Sequence, residues 1–486
     1  EIGENLNNLY LNLGGGNQKF NQWAKKLKPG EIYCTVNTAL AYGNSLNEVV
    51  GEMTKYRRHI IRKHEVDENQ PVIFNEYMHL SWDSPLQSRT EMLIPQIAEL
   101  GVEYYVIDCG WHNEEPGNII YPYVGQWRES KTRFPLGLKH TIDCIKSHGM
   151  KAGLWLEPEI IGNLCTEMLK HYPENAYLKR NGKPITELGR LFLDFRCPEV
   201  INYLNITIDM LVNKYGVEYL KLDYNQDCGP GTEVNSFSLG DGLEQHCEAY
   251  LDWVKSLMDK YPNVIIETCS SGGQRMDYRT LELFSIVSSS DQTNYRKYPY
   301  ISANISSSVL PVQAAVWSYP VESSNLLCYE PQDDESEQSV NDRVDEEAVI
   351  MNMVNAMLGR IHLASRIDKL SNAKKDLIKE GICYYRTLNQ VRKEGLPYYP
   401  FGFADFMSEI VASGYIYKGT IYLAVWNMKK AKTVTIPLIG YEISGVKVGY
   451  LAKVPTSLSF DKNSISINFK KDFSARFLEI TVTSIS

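Results

Sequence analysis

A (β/α)8 barrel of the α/β class, followed by a C-terminal antiparallel β-sandwich, is the fold this sequence predicts, and three observations predict it. From Phe74 onward, short β-branched or apolar runs alternate with longer amphipathic stretches. Several of the short runs end in polar or acidic residues, as expected where barrel strands deliver functional groups at their C-terminal tips. After about residue 410 the pattern changes to period-two alternation broken by Gly, Asn and Lys clusters, which marks an antiparallel sheet.

The elements follow in order. Residues 1–65 carry no complete domain pattern. Residues 66–400 supply eight strand candidates at 72–74, 104–108, 152–156, 219–223, 264–268, 285–289, 314–317 and 360–363. Between the first two, Ser88 to Leu100 places Leu93, Ile94, Ile97, Ala98 and Leu100 on one helical face. Leu136 to His148 and Pro198 to Tyr215 read as helices in the same way. Residues 401–486 hold alternating runs such as Gly419 to Trp426 and Thr433 to Leu438.

Composition excludes some classes of function. The 486 residues carry a formal charge of -9, with acidic clusters at Asp333 to Glu335 and Asp345 to Glu347, which argues against a nucleic-acid footprint. No run of about 18 apolar residues is present, so no membrane helix is expected. Ten cysteines are scattered without CxxC pairs, and several sit in strand-like runs, the pattern of buried free thiols in a reducing compartment. A cytoplasmic location is the resulting expectation, with secretion as the alternative if a missing N-terminus carried an export signal.

Three segments carry chemistry: Tyr219-Leu-Lys-Leu-Asp-Tyr-Asn225, Glu267-Thr-Cys-Ser-Ser-Gly-Gly273 and Ser288-Ser-Ser-Asp-Gln-Thr293. In two of them an apolar, β-prone run ends with an aspartate, Asp223 and Asp291. Carboxylates at nearby strand ends suit glycoside hydrolysis with retention, in which one attacks the anomeric carbon while the other, about 5 Å away, protonates the leaving oxygen. Asp223 to Asp227 also imitates the opening of a calcium loop, but Cys228 and Val234 stand where that loop needs Gly and Glu.

With Gly153-Leu-Trp-Leu-Glu-Pro-Glu159 and Val106-Ile-Asp-Cys-Gly-Trp111, these segments resemble glycoside hydrolase family 36, the large α-galactosidases and α-N-acetylgalactosaminidases, over roughly residues 60 to 390. The resemblance implies a retaining exo-α-glycosidase that needs no cofactor and no metal, and whose partner is an oligosaccharide or glycoconjugate. It implies Asp223 as nucleophile and Asp291 as acid/base. Lys221, two residues before Asp223, is expected to place a cation beside that carboxylate. Asp108 is expected to bind the O4 and O6 region of the sugar. Cys109 replaces the second acid of the family's Asp-Asp pair, and a thiol accepts hydroxyls poorly.

Trp127 and Trp155 are candidate aromatic walls, with a core role as the alternative for Trp127. Arg190 corresponds to an arginine that helps hold O3, although its spacing is two residues short of the family's. Cys269 and Gly272 are expected on the C2 side of the sugar, where glycine lets backbone approach. Ser288 stands where galactosidases carry a tryptophan, and the emptied volume favours a 2-acetamido group, hence an α-N-acetylgalactosaminidase. An α-galactosidase is the alternative, and a transglycosylase or a non-catalytic carbohydrate-binding relic are the further readings. Leu27 to Tyr33 resembles the exit from the family's N-terminal β-domain, so 1–65 is expected to be a remnant of that domain plus linker, in a chain that is truncated, cleaved or naturally short. Homo-oligomerisation or association with such a domain is a further expectation.

Overall fold

Eight parallel strands close into a barrel, each pairing with its neighbours in chain order. They are β1 (Ile73–Asn75), β2 (Tyr104–Ile107), β3 (Lys151–Leu156), β4 (Tyr219–Leu222), β5 (Ile265–Thr268), β6 (Ile286–Ser288), β7 (Ala314–Ser318) and β8 (Arg360–Leu363). The structure is a computed structural model that describes residues 2–5, 8–11, 14–114, 120–323, 335–429, 433–451 and 456–485. Asp333 and Asp334 of the acidic cluster lie outside the described residues.

The two-residue period of a strand sorts the barrel interior into levels. A lower apolar level is built from Ile73, Tyr104, Val106, Tyr219, Ile265, Ile286 and Ala315. Gly153 belongs to it because a Cβ there would lie 2.9 Å from the Tyr219 Cβ and 2.8 Å from Val106 Cγ2. Two residues further along the strands, the same inward faces present Asn75, Asp108, Trp155, Lys221, Glu267, Ser288 and Trp317. The barrel thus changes from apolar to polar toward its C-terminal mouth.

The predicted helices lie between the strands, at Gln87–Ala98, at Leu138–Ser147, and at Pro198–Asp209, which continues as a π-helical turn to Tyr215. Gln87–Ala98 buries Leu93, Ile94 and Ile97, three of the predicted apolar positions. An unpredicted 15-residue helix, Leu46–Ile60, precedes the barrel, and its Ser45 cap accepts the Glu48 backbone N–H. After β3 the chain makes an excursion through the antiparallel strands Ile160–Gly162 and Arg190–Phe192, which brings Arg190 back to the mouth.

The C-terminal unit packs two antiparallel sheets. One has the order β9 (Leu396–Tyr398), β10 (Ile410–Tyr417), β11 (Thr420–Asn427), β16 (Ser474–Ser484) and β13 (Tyr441–Tyr450). The other is β12 (Thr433–Pro437), β15 (Ser464–Asn468) and β14 (Ser457–Phe460). Leu423, Ile436, Ile467 and Leu478 contribute to a core of its own. The expected boundary at 401 moves earlier, because β9 pairs with β10 and belongs to this sheet. Trp426 Nε1 donates to Asn355 Oδ1 at 2.8 Å, which ties the sandwich to the helix preceding β8. The nine described cysteines are free thiols.

Candidate active site

Asp223 leaves the tip of β4, where its N–H still pairs with Leu156 O at 2.8 Å, so the strand ladder aims the side chain. Three donors converge on the carboxylate. Trp155 Nε1 lies 2.9 Å and Asn225 Nδ2 2.8 Å from Oδ2, and the Tyr224 N–H lies 2.8 Å from Oδ1. Trp155 therefore meets the site through its indole N–H, and its ring is buried. Trp127 is buried behind it, edge-on at 5.9 Å, which corrects the aromatic-wall reading to the core role. Asn225, which the sequence reading missed, also accepts from the Ser271 N–H and hydroxyl at 3.1 and 3.0 Å, linking the β4 and β5 tips.

Lys221 does not pair with Asp223 as expected. It reaches across to Asp108 Oδ2 at 2.9 Å, with both side chains almost fully buried. The reason is geometric: Lys221 lies one level below Asp223, facing the axis, where Asp108 and Glu267 face it. Burial disfavours the ammonium, but Asp108 and further acidic groups, Asp223 among them, outweigh it and hold its pKa above the ordinary lysine value. Asp108 is fixed further by Asn75 Nδ2 at 2.6 Å and by the Cys109 N–H at 2.9 Å. Tyr219 donates to Glu267 beneath the lysine, and burial pushes Glu267 up to about 7.

Asp291 follows β6 and opens on the cleft. Desolvation raises its pKa, Lys221 lowers it, Asp223 and Asp108 raise it again, and the sum is about 6. A sugar that expelled water from the cleft would move the carboxyl further in the same direction. Gly272 contributes by yielding space to the segment that carries Asp291: a Cβ there would lie 2.7 Å from the Asp291 nitrogen, and its φ of +86° suits glycine. The close approach expected on the C2 side of a sugar is thus an approach to the chain carrying Asp291, through the bridge between Gly272 and Ser290. Cys269 is buried beside this turn, with its N–H on Leu222 O at 2.8 Å.

Arg190 stacks under Tyr121 at 3.8 Å and lies 3.5 Å from Glu157, a buried carboxyl that also accepts the Asn225 N–H at 2.7 Å. Burial, reinforced by Asp223 and opposed by Arg190, pushes Glu157 up to about 8. Glu157, Tyr121, Tyr77 and Trp317 were not singled out from sequence. Glu157 does lie inside the quoted Gly153 to Glu159 motif. Trp317 stands on β7 with its ring 5.5 Å from the Lys221 ammonium. Ser288 is 2 % exposed, level with Ala315 inside the barrel. Cys109 is buried too, and its thiol donates to Asp83 Oδ1 at 2.9 Å.

The strand-borne carboxylates, their donors and one buried lysine thus converge at the barrel mouth. The sequence profile of the family described as Melibiase matches residues 33–395. The chain belongs to the melibiase family, glycoside hydrolase family 36. Among relatives of this family 36 chain, "Alpha-galactosidase 1" of Pediococcus pentosaceus is 24% identical over 303 residues, covering 60% of this chain and 39% of that protein. "Alpha-galactosidase 2" of the same organism is 31% identical over 236 residues, 46% of this chain and 31% of its own length. The chain therefore spans well under half of the curated relatives it matches.

The solved GH36 α-galactosidase AgaA of Geobacillus stearothermophilus in complex with raffinose superposes with a TM-score of 0.71 at 19% identity, over 90% of this chain and 59% of that one. The galactosidase domain of the α-galactosidase-sucrose kinase AgaSK does so at 0.71 and 20%, over 90% and 58%. At these identities the likeness carries the fold, barrel and β-sandwich together.

Proposed function

We propose that this chain is a retaining α-galactosidase that releases terminal α-linked galactose from oligosaccharides. The observation that carries the reading is the pairing of two differently treated carboxyls at one mouth. Asp223 is oriented by three donors, and Asp291 is shifted toward the protonated form, which is the division of labour between nucleophile and acid. Asp223 attacks the anomeric carbon as the glycosidic C–O bond breaks, and the Asp291 proton passes to the leaving oxygen. Asp291 then takes a proton from water, whose oxygen replaces Asp223 on the same carbon with net retention.

Support for galactose over N-acetylgalactosamine comes from the relatives above, which are named α-galactosidases. Hydrolysis of p-nitrophenyl α-galactoside against the α-N-acetylgalactosaminide tests the reading. Galactoside turnover that is lost in Asp223→Ala is the expected result. Preference for the acetamido sugar, or turnover of neither, would overturn it.

A further inference from the structure

We propose that Asp83 is a specificity-determining residue, whose carboxylate supplies from the loop after β1 the acceptor that the β2 tip lacks at Cys109, and which takes the exocyclic 6-hydroxyl of the sugar. The inference deepens the α-galactosidase reading and rests on it.

Four observations lead there. First, the loop after β1 reverses at His79 and Trp82, both with positive φ, 54° and 47°. Second, its backbone is clamped independently of the carboxylate. Arg133 Nη1 donates to Asp83 O at 2.9 Å, and a Cβ on Gly110 would lie 2.1 Å from that oxygen, so only glycine admits the contact. Holding the loop therefore does not require an acid at position 83. Third, Asp83 Oδ1 takes the Cys109 thiol at 2.9 Å, which puts the carboxylate beside the position where the Asp108-Cys109 pair carries a poor acceptor.

Fourth, Asp83 is hydrogen-bonded to Tyr77, whose ring lies 5.7 Å from the ammonium of the Asp108–Lys221 pair. The Tyr77 phenol lies in the field of both Asp83 and Asp291, and the Tyr121 phenol in that of Asp83 and Asp223. Asp108 and Cys109 are each 2 % exposed, whereas Asp83 is only half-buried and is the more accessible of the three. A group that projects from the sugar ring, as the hydroxymethyl does, fits the outer position. A ring hydroxyl fits the deeper Asp108–Lys221 pair. A carboxylate built to accept a hydroxyl discriminates strongly against an analogue that lacks it.

The test compares p-nitrophenyl α-galactoside with its 6-deoxy counterpart, and galactose with 6-deoxygalactose by calorimetry. The proteins are the wild type, Asp83→Asn, and the double variant Asp83→Asn with Cys109→Asp. The preference for the 6-hydroxyl is expected to fall on the order of tenfold or more in Asp83→Asn. It is expected to return to within about threefold of wild type when the carboxylate is moved to position 109. An unchanged preference, or equal losses on both sugars, would overturn the assignment. If the wild type binds galactose without hydrolysing galactosides, the α-galactosidase reading fails while the binding preference still judges Asp83. Binding of neither sugar would overturn both.

Discussion

On the proposed mechanism, the position of Asp291 sets how activity depends on pH. The carboxyl is pushed up to about 6, first by desolvation, then by Asp223 and Asp108 acting against Lys221. Glycosylation needs its protonated form, and with that midpoint about one tenth of the molecules carry the proton at pH 7 and about one hundredth at pH 8. The sign follows: kcat/KM falls as pH rises through the pKa, by about tenfold per unit, and at pH 8 lies on the order of 100-fold below its acidic plateau. Initial rates from pH 4 to 9 on an oligosaccharide, whose leaving alcohol needs a proton, and on a p-nitrophenyl glycoside, whose leaving phenolate needs little help, provide the assay. Asp291→Asn should remove the alkaline limb and lose far more on the oligosaccharide. A residual activity of Asp291→Asn that keeps the same limb, or a wild-type profile flat to pH 8, would refute the reasoning.

Other perturbations test separate parts of the site. Lys221→Met leaves Asp108 buried without its ion pair and should cost about 3–5 kcal/mol in denaturant unfolding, with Asp108→Asn recovering part of the loss. In the protein that remains folded, removing the cation should shift the alkaline limb of Asp291 to higher pH. Glu157 is raised from 4.5 to about 8, so the native state holds a proton that the unfolded chain has released between those values. Wild-type stability should therefore decline over that window more steeply than that of Glu157→Gln, so the Tm difference should move in the variant's favour from pH 5 to pH 8. Gly272→Ala places a methyl against the Asp291 nitrogen at a positive φ, and should cost about 1–2 kcal/mol. Its kcat should fall on the order of tenfold or more, because the proposed acid/base, Asp291, is displaced.

The barrel was legible in the sequence because each strand is a short apolar run with a polar end, and a closed parallel barrel buries its strands on both faces. The predicted 360–363 strand and the helix beginning at Pro198 coincide with observed elements for this reason. The Leu46–Ile60 helix was missed although Ser45 and Glu48 stand at capping-box spacing; its apolar stripe is thin, with Val50, Gly51, Thr54 and Arg57 as its buried residues. The catalytic candidates were legible as strand-end aspartates. The partner of Lys221 was not, because Asp108 lies 113 residues away and meets it only across the barrel axis. Asp83 left no local signal either, since its place depends on two positive-φ reversals and on the missing side chain at Gly110. Ser288 was legible as a small residue on the inward face of β6, but the volume left around it depends on neighbours from other strands that the local sequence does not name.

The central claim is a covalent glycosyl-enzyme on Asp223, and the most direct measurement is trapping it with a 2-deoxy-2-fluoro galactosyl donor bearing a good leaving group. Peptide mass spectrometry of the inactivated protein should find a single added fluoroglycosyl unit on the peptide containing Asp223, and none in Asp223→Ala. A label on another residue, or turnover of α-galactosides with release of the β-anomer and no label, would contradict the account.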